Sequence, residues 1–174
     1  MLMGVRVYFL FNMKLIDSKV EYLPQENGIE GIYKMIEVAG RTAYQSLDKI
    51  TDDSAKGFVD RMIKSKHGAA LEHGTVYLKV PVWDAKVDFA YQRYFYNPYS
   101  KTEQYLKKLG WANRDEDCIY VVTNYRVVAE KNYFDDLQYL CTPTEFHEKR
   151  YTMRFTCSRA IAQELTRHKL LCAA

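Results

Sequence analysis

The residues best suited to chemistry lie near the end of the chain, on a segment predicted to be helical. Arg159, Gln163 and Arg167 recur every four residues, so they share one face of a helix, with Glu164 beside them. The run Arg-His-Lys at positions 167–169 adds three nitrogen donors at one end. Arg binds phosphate through two donors at once. The cluster therefore predicts a phosphate-bearing ligand, although cations at a helix C-terminus also simply offset the helix dipole.

A second group of polar residues falls between a predicted helix and a predicted strand. His67, Glu72 and His73 are flanked there by glycines, which suits a polar loop whose backbone can approach a ligand closely. A capped helix end with solvated side chains explains the same pattern. A zinc site built on His67, His73 and His147 is a further alternative. No metal-ligand spacing such as His-Glu-x-x-His supports it, so we predict no metal site.

Composition narrows the class of protein. Hydrophobic residues make up 48% of the 174 residues, enough for the core of one domain. The net charge of +3 argues against a nucleic-acid-binding surface. No segment approaches the ~20 apolar residues that span a membrane. The four cysteines form no Cys-x-x-Cys pair, which predicts reduced thiols in a cytoplasmic protein.

The first twelve residues are apolar but lack the small-residue cleavage site of a signal peptide. The sequence from Met13 looks like a natural beginning. We therefore expect residues 1–12 to be an extension, translated from upstream sequence or preceding the true start at Met13. A single domain is expected over residues 13–174.

Helical and strand periodicities alternate along this domain. Apolar residues spaced by three and four predict one helix over 29–43 and another that ends near Ser65. Helical turns over 127–140 are expected to break at Asp135 and Asp136, and a further short element to begin at Thr142. Alternating apolar residues predict strands at 74–82 and 151–157, β-type content predicts one at 15–23, and a short apolar run predicts one at 118–123. The mixture indicates an α+β domain with a mostly antiparallel sheet.

The last strand runs into the helix that carries the first cluster. Ser158 is the residue type and position expected of an N-cap for this helix. Ile161 and Leu165 lie on the face opposite the polar residues, so we predict that this face is buried.

Three segments in this order resemble the flavin-dependent thymidylate synthases, also called thymidylate synthase-complementing proteins. Residues 66–73, Lys-His-Gly-Ala-Ala-Leu-Glu-His, are similar to the family's Gly-His-Glu-x-x-x-Glu-His. Residues 39–46, Ala-Gly-Arg-Thr-Ala-Tyr-Gln-Ser, are similar to its Ala-Ala-Arg-x-x-Tyr-x-Ser. Residues 155–169 resemble the strand and helix that enter its Arg-His-Arg signature. The resemblance covers 13–174, with 83–150 as a long insertion typical of a bacterial subgroup.

This resemblance implies reductive methylation of dUMP to dTMP, with methylenetetrahydrofolate as carbon donor and FAD, reduced by NADPH, as hydride carrier. It implies a homotetramer with FAD held between subunits, and no covalent catalytic residue. Glu164 and Arg167 would lie at the dUMP. The residues that it places against FAD are His67, Ala69, Glu72, Arg167, His168 and Lys169.

Several positions depart from the family pattern. Lys169 replaces an Arg and loses its bidentate donor, Ala69 lacks a hydroxyl, and Cys172 replaces a Ser. The remainder of the signature, Asn-Glu-x-Ser-x-Arg-Tyr, does not follow in this sequence. We therefore expect a truncated form that is weakly active or inactive. The alternative is a non-catalytic nucleotide-binding or interaction remnant of the same fold.

Overall fold

The computed structural model describes residues 17–81, 92–105 and 118–167. The predicted extension at 1–12 and the alternative start at Met13 lie outside this part. Short 3-10 turns occupy Leu47–Lys49 and Phe134–Tyr139. The other elements are, in chain order, β1 (Lys19–Leu23), α1 (Gly28–Ala43), α2 (Ser54–Lys64), α3 (Gly68–Leu71), β2 (Thr75–Pro81), β3 (Lys101–Tyr105), β4 (Cys118–Asn124), α4 (Tyr125–Lys131), β5 (Thr152–Thr156) and α5 (Arg159–Arg167).

The chain is α+β, and every strand pairing among the described residues is antiparallel. The central sheet has the order β2-β4-β3. Every residue of the middle strand β4 is buried, because this strand is paired at both edges and covered on both faces. In β2 the predicted inward residues Val76, Leu78 and Val80 are fully buried. Leu78 lies opposite Val121 of β4 in the register of the sheet.

Helix α1 belongs to the same core, since Ile32 and Ile36 share the buried cluster of the sheet. Two glycines allow the elements around it to approach closely. A Cβ added to Gly40 would lie 2.6 Å from the Phe58 ring of α2, and one added to Gly74 would lie 2.7 Å from Ile36. Neither position has room for a side chain, so these contacts hold α1 against α2 and the start of β2.

Strands β1 and β5 form a separate two-stranded ribbon. Val20 lies opposite Phe155, and Tyr22 lies opposite Met153. The strand predicted at 151–157 is present, but its burial is reversed. These four apolar side chains are 57%, 48%, 54% and 42% exposed, respectively, whereas most of the polar residues between them are half-buried. The ribbon therefore turns its apolar face to solvent.

Helix α5 corrects one prediction. Ser158 caps it as expected, because the N–H of Ile161 lies 3.4 Å from the Ser158 hydroxyl. Ile161 itself is 51% exposed, and only Leu165 is partly buried. The predicted buried face is therefore wrong at Ile161. An amphipathic pattern shows that a helix has an apolar side, but burial needs a second element against that side.

Two other boundaries differ from prediction. The break expected at Asp135 and Asp136 lies at Asn132, which ends α4 with a left-handed φ of 57°. Residues 141–150 contain turns but no helix or strand, so the element predicted to begin at Thr142 is absent. Asn tolerates left-handed backbone well, which is why it can end a helix.

The segment 83–150 supplies essential parts of the core. Its residues 118–131 form the central strand β4 and the helix α4. Whether this segment is an insertion relative to the resembled family stays a prediction. In the described ranges, no helix is both long enough and apolar enough to cross a membrane.

Candidate functional site

The C-terminal ends of α1 and α2 bring two of the predicted motifs into contact. Tyr44 comes from the segment 39–46 and His67 from the segment 66–73. The Tyr44 hydroxyl lies 3.2 Å from Nε2 of His67, and the ring centroids are 5.8 Å apart. Both side chains are exposed. The two ring planes are tilted by 51°, so the contact presents two accessible rings at an angle to each other.

The backbone on both sides of this contact is strained. Gln45 after α1 and Lys66 after α2 are left-handed, with φ of 51° and 56°. In each case the N–H of the next residue donates to a carbonyl five residues back, at 2.9 Å, which closes the helix end. Glycine is usual at this position because a side chain crowds the left-handed backbone. Strained positions of this kind often accompany functional sites.

Glu72 is held by an arginine that sequence reasoning missed. Nη1 of Arg126 donates to the Glu72 carboxylate, and its Nε donates to Glu130 at 2.7 Å. The hydrogen bonds that Arg126 donates, first to Glu130 and then to Glu72, raise the pKa of its guanidinium. A Cβ on Gly68 would lie 2.7 Å from Nε of Arg126, so Gly68 leaves room for the guanidinium. Glu72 is therefore an oriented, charge-compensated acceptor.

The remaining residues of this segment differ in exposure. Ala69 is exposed on α3, whereas Ala70 beside it is buried. Nε2 of His73 is buried and has no hydrogen-bond partner in the part of the chain that the structure describes. Burial lowers the pKa of His73, although the nearby Glu72 charge acts in the opposite direction. His73 is thus held as a neutral imidazole beneath the exposed surface. The predicted loop contains the short helix α3, which corrects its assignment as a plain loop.

The first predicted cluster, residues 159–169, begins on α5 and continues past its last residue. Glu164 is exposed on this helix. Arg167 is the last residue of α5, and its side chain lies outside the described part. His168 and Lys169 also lie outside the described residues. The structure thus brings together Tyr44 and the 66–73 segment, and leaves their relation to the 167–169 cluster a prediction.

Arg41 of the segment 39–46 is buried and is not presented to a ligand. Its Nε donates to Glu37 at 2.6 Å, and the Ser54 hydroxyl donates to the same carboxylate at 2.8 Å. The guanidinium also lies 5.2 Å from the centroid of the Phe58 ring. This network joins α1 to α2, and it fixes the helix end that carries Tyr44.

A Cys–His pair on the other side of the sheet is structural. Sγ of Cys141 lies 3.9 Å from Nε2 of His147. The Thr144 N–H donates to Nδ1 of His147 at 3.0 Å, so Nε2 carries the proton and donates to the Leu78 carbonyl at 3.1 Å. Burial lowers the pKa of His147 and raises the pKa of the Cys141 thiol. Both ring nitrogens are occupied, so this imidazole cannot activate the thiol.

Among the described residues, no group of three His, Cys, Asp or Glu side chains is arranged to hold a metal ion. A cleft of about 310 Å³ lies elsewhere, with Tyr22, Tyr151 and the start of α1 in its lining. Helix α1 has 16 residues and is about 24 Å long, so the cleft and Tyr44 lie at opposite ends of it. The candidate site is an open surface and not this cleft.

Only one of the two ion pairs of Arg126 could be predicted from the sequence. Its spacing of four from Glu130 predicts a local ion pair on a helix. Its other partner, Glu72, is 54 residues away, so no local pattern could join the two. Only the packing of α3 against α4 brings Arg126 into the site.

Comparison of the chain with protein-family models, with curated proteins and with solved structures found no match. The functional assignment therefore depends on the motifs and on the geometry described above.

Proposed function

We propose that this chain carries part of the flavin and nucleotide site of a flavin-dependent thymidylate synthase. The reaction would be the methylation of dUMP to dTMP, with methylenetetrahydrofolate as carbon donor and FAD and NADPH as redox partners. The Tyr44–His67 contact is the observation that supports this proposal most strongly. It joins two segments that are distant in the sequence and that independently resemble the same family.

The surface around His67 has the properties that a flavin would require. The rings of Tyr44 and His67 are exposed, and so is the small side chain of Ala69, two residues after His67. A flat heterocycle can stack against such rings. Glu72, oriented by Arg126, would accept hydrogen bonds from N–H or hydroxyl groups of the ligand. Bound FAD would supply the hydride chemistry, and the protein would supply position and charge.

The residues of α5 and beyond would complete the ligand contacts. Arg167, His168 and Lys169 would neutralise the FAD phosphates, and Glu164 with Arg167 would orient dUMP. An open surface encloses a ligand only when a second surface covers it. This favours FAD bound between subunits, as in the homotetramer that the resemblance implies.

Flavin binding provides the first test. FAD is titrated into the chain while its fluorescence is followed, and His67→Ala is compared with Lys64→Ala. Lys64 is exposed at the end of α2, three residues before His67, so it is a matched surface control. We expect His67→Ala to weaken FAD binding about fivefold, because one stacking ring is worth ~1 kcal/mol. Equal FAD affinities of the two variants would contradict a flavin site at His67.

Turnover separates the enzyme from a second candidate, a nucleotide-binding or interaction module without catalysis. The exposure of α5 from Arg159 to Glu164 favours that candidate, because an amphipathic helix with an exposed apolar residue can dock a partner. Oxidation of NADPH that requires dUMP and methylenetetrahydrofolate, or rescue of a thymidine auxotroph, supports the enzyme. Retained flavin without that oxidation supports the non-catalytic module.

A further inference from the structure

In most strand pairs the apolar side chains face the core and the polar ones face solvent. In the β1–β5 ribbon the apolar side chains are the exposed ones. We define the apolar ribbon face by its five large residues. All five are between 42% and 66% exposed, and they lie on one side because cross-strand partners and alternate residues share a face. The residues are Val20, Tyr22, Tyr151, Met153 and Phe155.

The apolar ribbon face is contiguous. Val20 pairs with Phe155 and Tyr22 with Met153, while the rings of Tyr22 and Tyr151 meet edge to face at 5.9 Å. The three aromatic side chains present roughly 150–250 Å² each, and Val20 and Met153 present less. With about half of that area exposed, the face measures roughly 500 Å², which is at the upper end for a monomer surface patch.

Charge does not oppose the approach of another apolar surface. The charged residues of the ribbon are on its other side and pair with each other. Nε of Arg154 lies 2.9 Å from the Glu21 carboxylate, and Nζ of Lys19 lies 3.2 Å from it. The hydrogen bond from Arg154 first, and that from Lys19 second, lower the pKa of Glu21. Two identical apolar ribbon faces can therefore meet without bringing like charges into contact.

We propose that the apolar ribbon face is the contact between two copies of this chain, related by a two-fold axis. A two-fold contact pairs a patch with itself, so one face of roughly 500 Å² gives about 1,000 Å² in total. That area reaches the threshold of about 1,000 Å² for a specific interface. Stacking two ribbons also supplies the second layer that a two-stranded sheet needs for stability. The contact would provide one interface of the proposed tetramer. It uses only the ribbon residues and does not depend on the flavin site.

The test measures association of the full chain without flavin, by sedimentation velocity between about 1 and 100 μM, because an interface of about 1,000 Å² lies at the small end of specific contacts. The double variant Met153→Lys, Phe155→Lys places charges on the apolar ribbon face. The control, Leu47→Lys with Ile50→Lys, alters two exposed apolar residues beyond the C-terminal end of α1, far from the ribbon. We expect a dimer whose dissociation constant rises at least about tenfold in the ribbon variant and stays unchanged in the control.

Hydrogen exchange on the unmodified chain gives a second readout that does not depend on how the variants fold. Amides of β1 and β5 should become more protected as the protein concentration rises, whereas amides of α2 should not. A monomer at every concentration overturns the proposal. So does a dimer that the ribbon variant leaves intact, or ribbon protection that is already complete in the monomer, which would mean that another part of the chain covers it. Because no flavin is present, a failed flavin site leaves these results unaffected.

Discussion

The central sheet and the β1–β5 ribbon are both antiparallel, and both are rich in valine, tyrosine and other β-forming residues. In the sheet, β4 is buried along its whole length. In the ribbon, the apolar residues of β5 are exposed and the polar ones are half-buried. Strand propensity is therefore the same in the two regions. What differs is whether another layer lies against the apolar face.

The two regions also contain the same type of ion pair. Arg41 and Glu37 sit beside the sheet core, with side chains 9% and 2% exposed. Arg154 and Glu21 sit on the ribbon, with side chains 33% and 31% exposed. A buried pair that loses one partner leaves an uncompensated charge, whereas an exposed pair returns its partner to water.

The largest expected effect follows from this difference. Arg41→Ala should lower the free energy of unfolding by about 3–5 kcal/mol, because Glu37 is left buried without its cation. Arg154→Ala should cause no measurable change. Urea unfolding followed by circular dichroism, with both variants at the same low protein concentration, makes the comparison. Similar losses in the two variants would mean that the ribbon pair is as buried as the core pair.

Apolar truncation gives the next effect. Leu78 is fully buried in β2, whereas Met153 is 42% exposed in β5. Leu78→Ala should lower the free energy of unfolding by about 2–5 kcal/mol, since it removes buried methyl groups and leaves a cavity. Met153→Ala should cost less than about 0.5 kcal/mol in the dilute chain. A large loss for Met153→Ala at low micromolar concentration would show that the apolar ribbon face is covered within one chain.

The smallest effect depends on pH and concerns the sheet alone, since neither ribbon strand contains a histidine. His147→Phe should cost about 1–3 kcal/mol at pH 7.5, because the Leu78 carbonyl and the Thr144 N–H lose their partner. Burial lowers the pKa of His147 from its ordinary value of 6.5, so the unfolded chain binds a proton that the folded chain does not. Stability of the unmodified chain therefore falls below about pH 6.5 through this group. The variant has no imidazole at position 147, so it does not lose stability on acidification through this group.

The unmodified chain and His147→Phe should accordingly differ less in their free energy of unfolding at pH 5.5 than at pH 7.5. His73, whose pKa burial also lowers, adds a similar acid loss to both proteins and cancels in the comparison. Urea titrations at the two pH values measure the narrowing. A difference that widens on acidification would contradict a neutral His147 in the folded state.

Local patterns in the sequence were enough to predict α1, α2 and the strands β2, β4 and β5. Their signals depend on residues three, four or two positions apart, and such spacings need no knowledge of the rest of the chain. The break after α4 was placed three residues late, because Asp135 and Asp136 resemble a helix terminator as much as Asn132 does. The short helix α3 was missed because four residues are too few to show a period.

The residues of the candidate site also fall into those that local sequence patterns predict and those that they do not. A motif in the sequence predicts His67, Ala69 and Glu72 as site residues. In the structure His67 contacts Tyr44, Ala69 is exposed, and Glu72 is oriented by Arg126. Arg126 could not be chosen, because its link to Glu72 spans 54 residues.

The sequence by itself determined the longer helices, most of the strands and the residues that resemble a flavin site, since all of these depend on short-range spacing. The tertiary structure decided which apolar faces are covered, which of the Arg–Glu pairs is buried, and which side chains meet at the ends of α1 and α2. Burial and long-range contact belong to pairs of elements, and a strand or a helix cannot encode in its own residues what will lie against it.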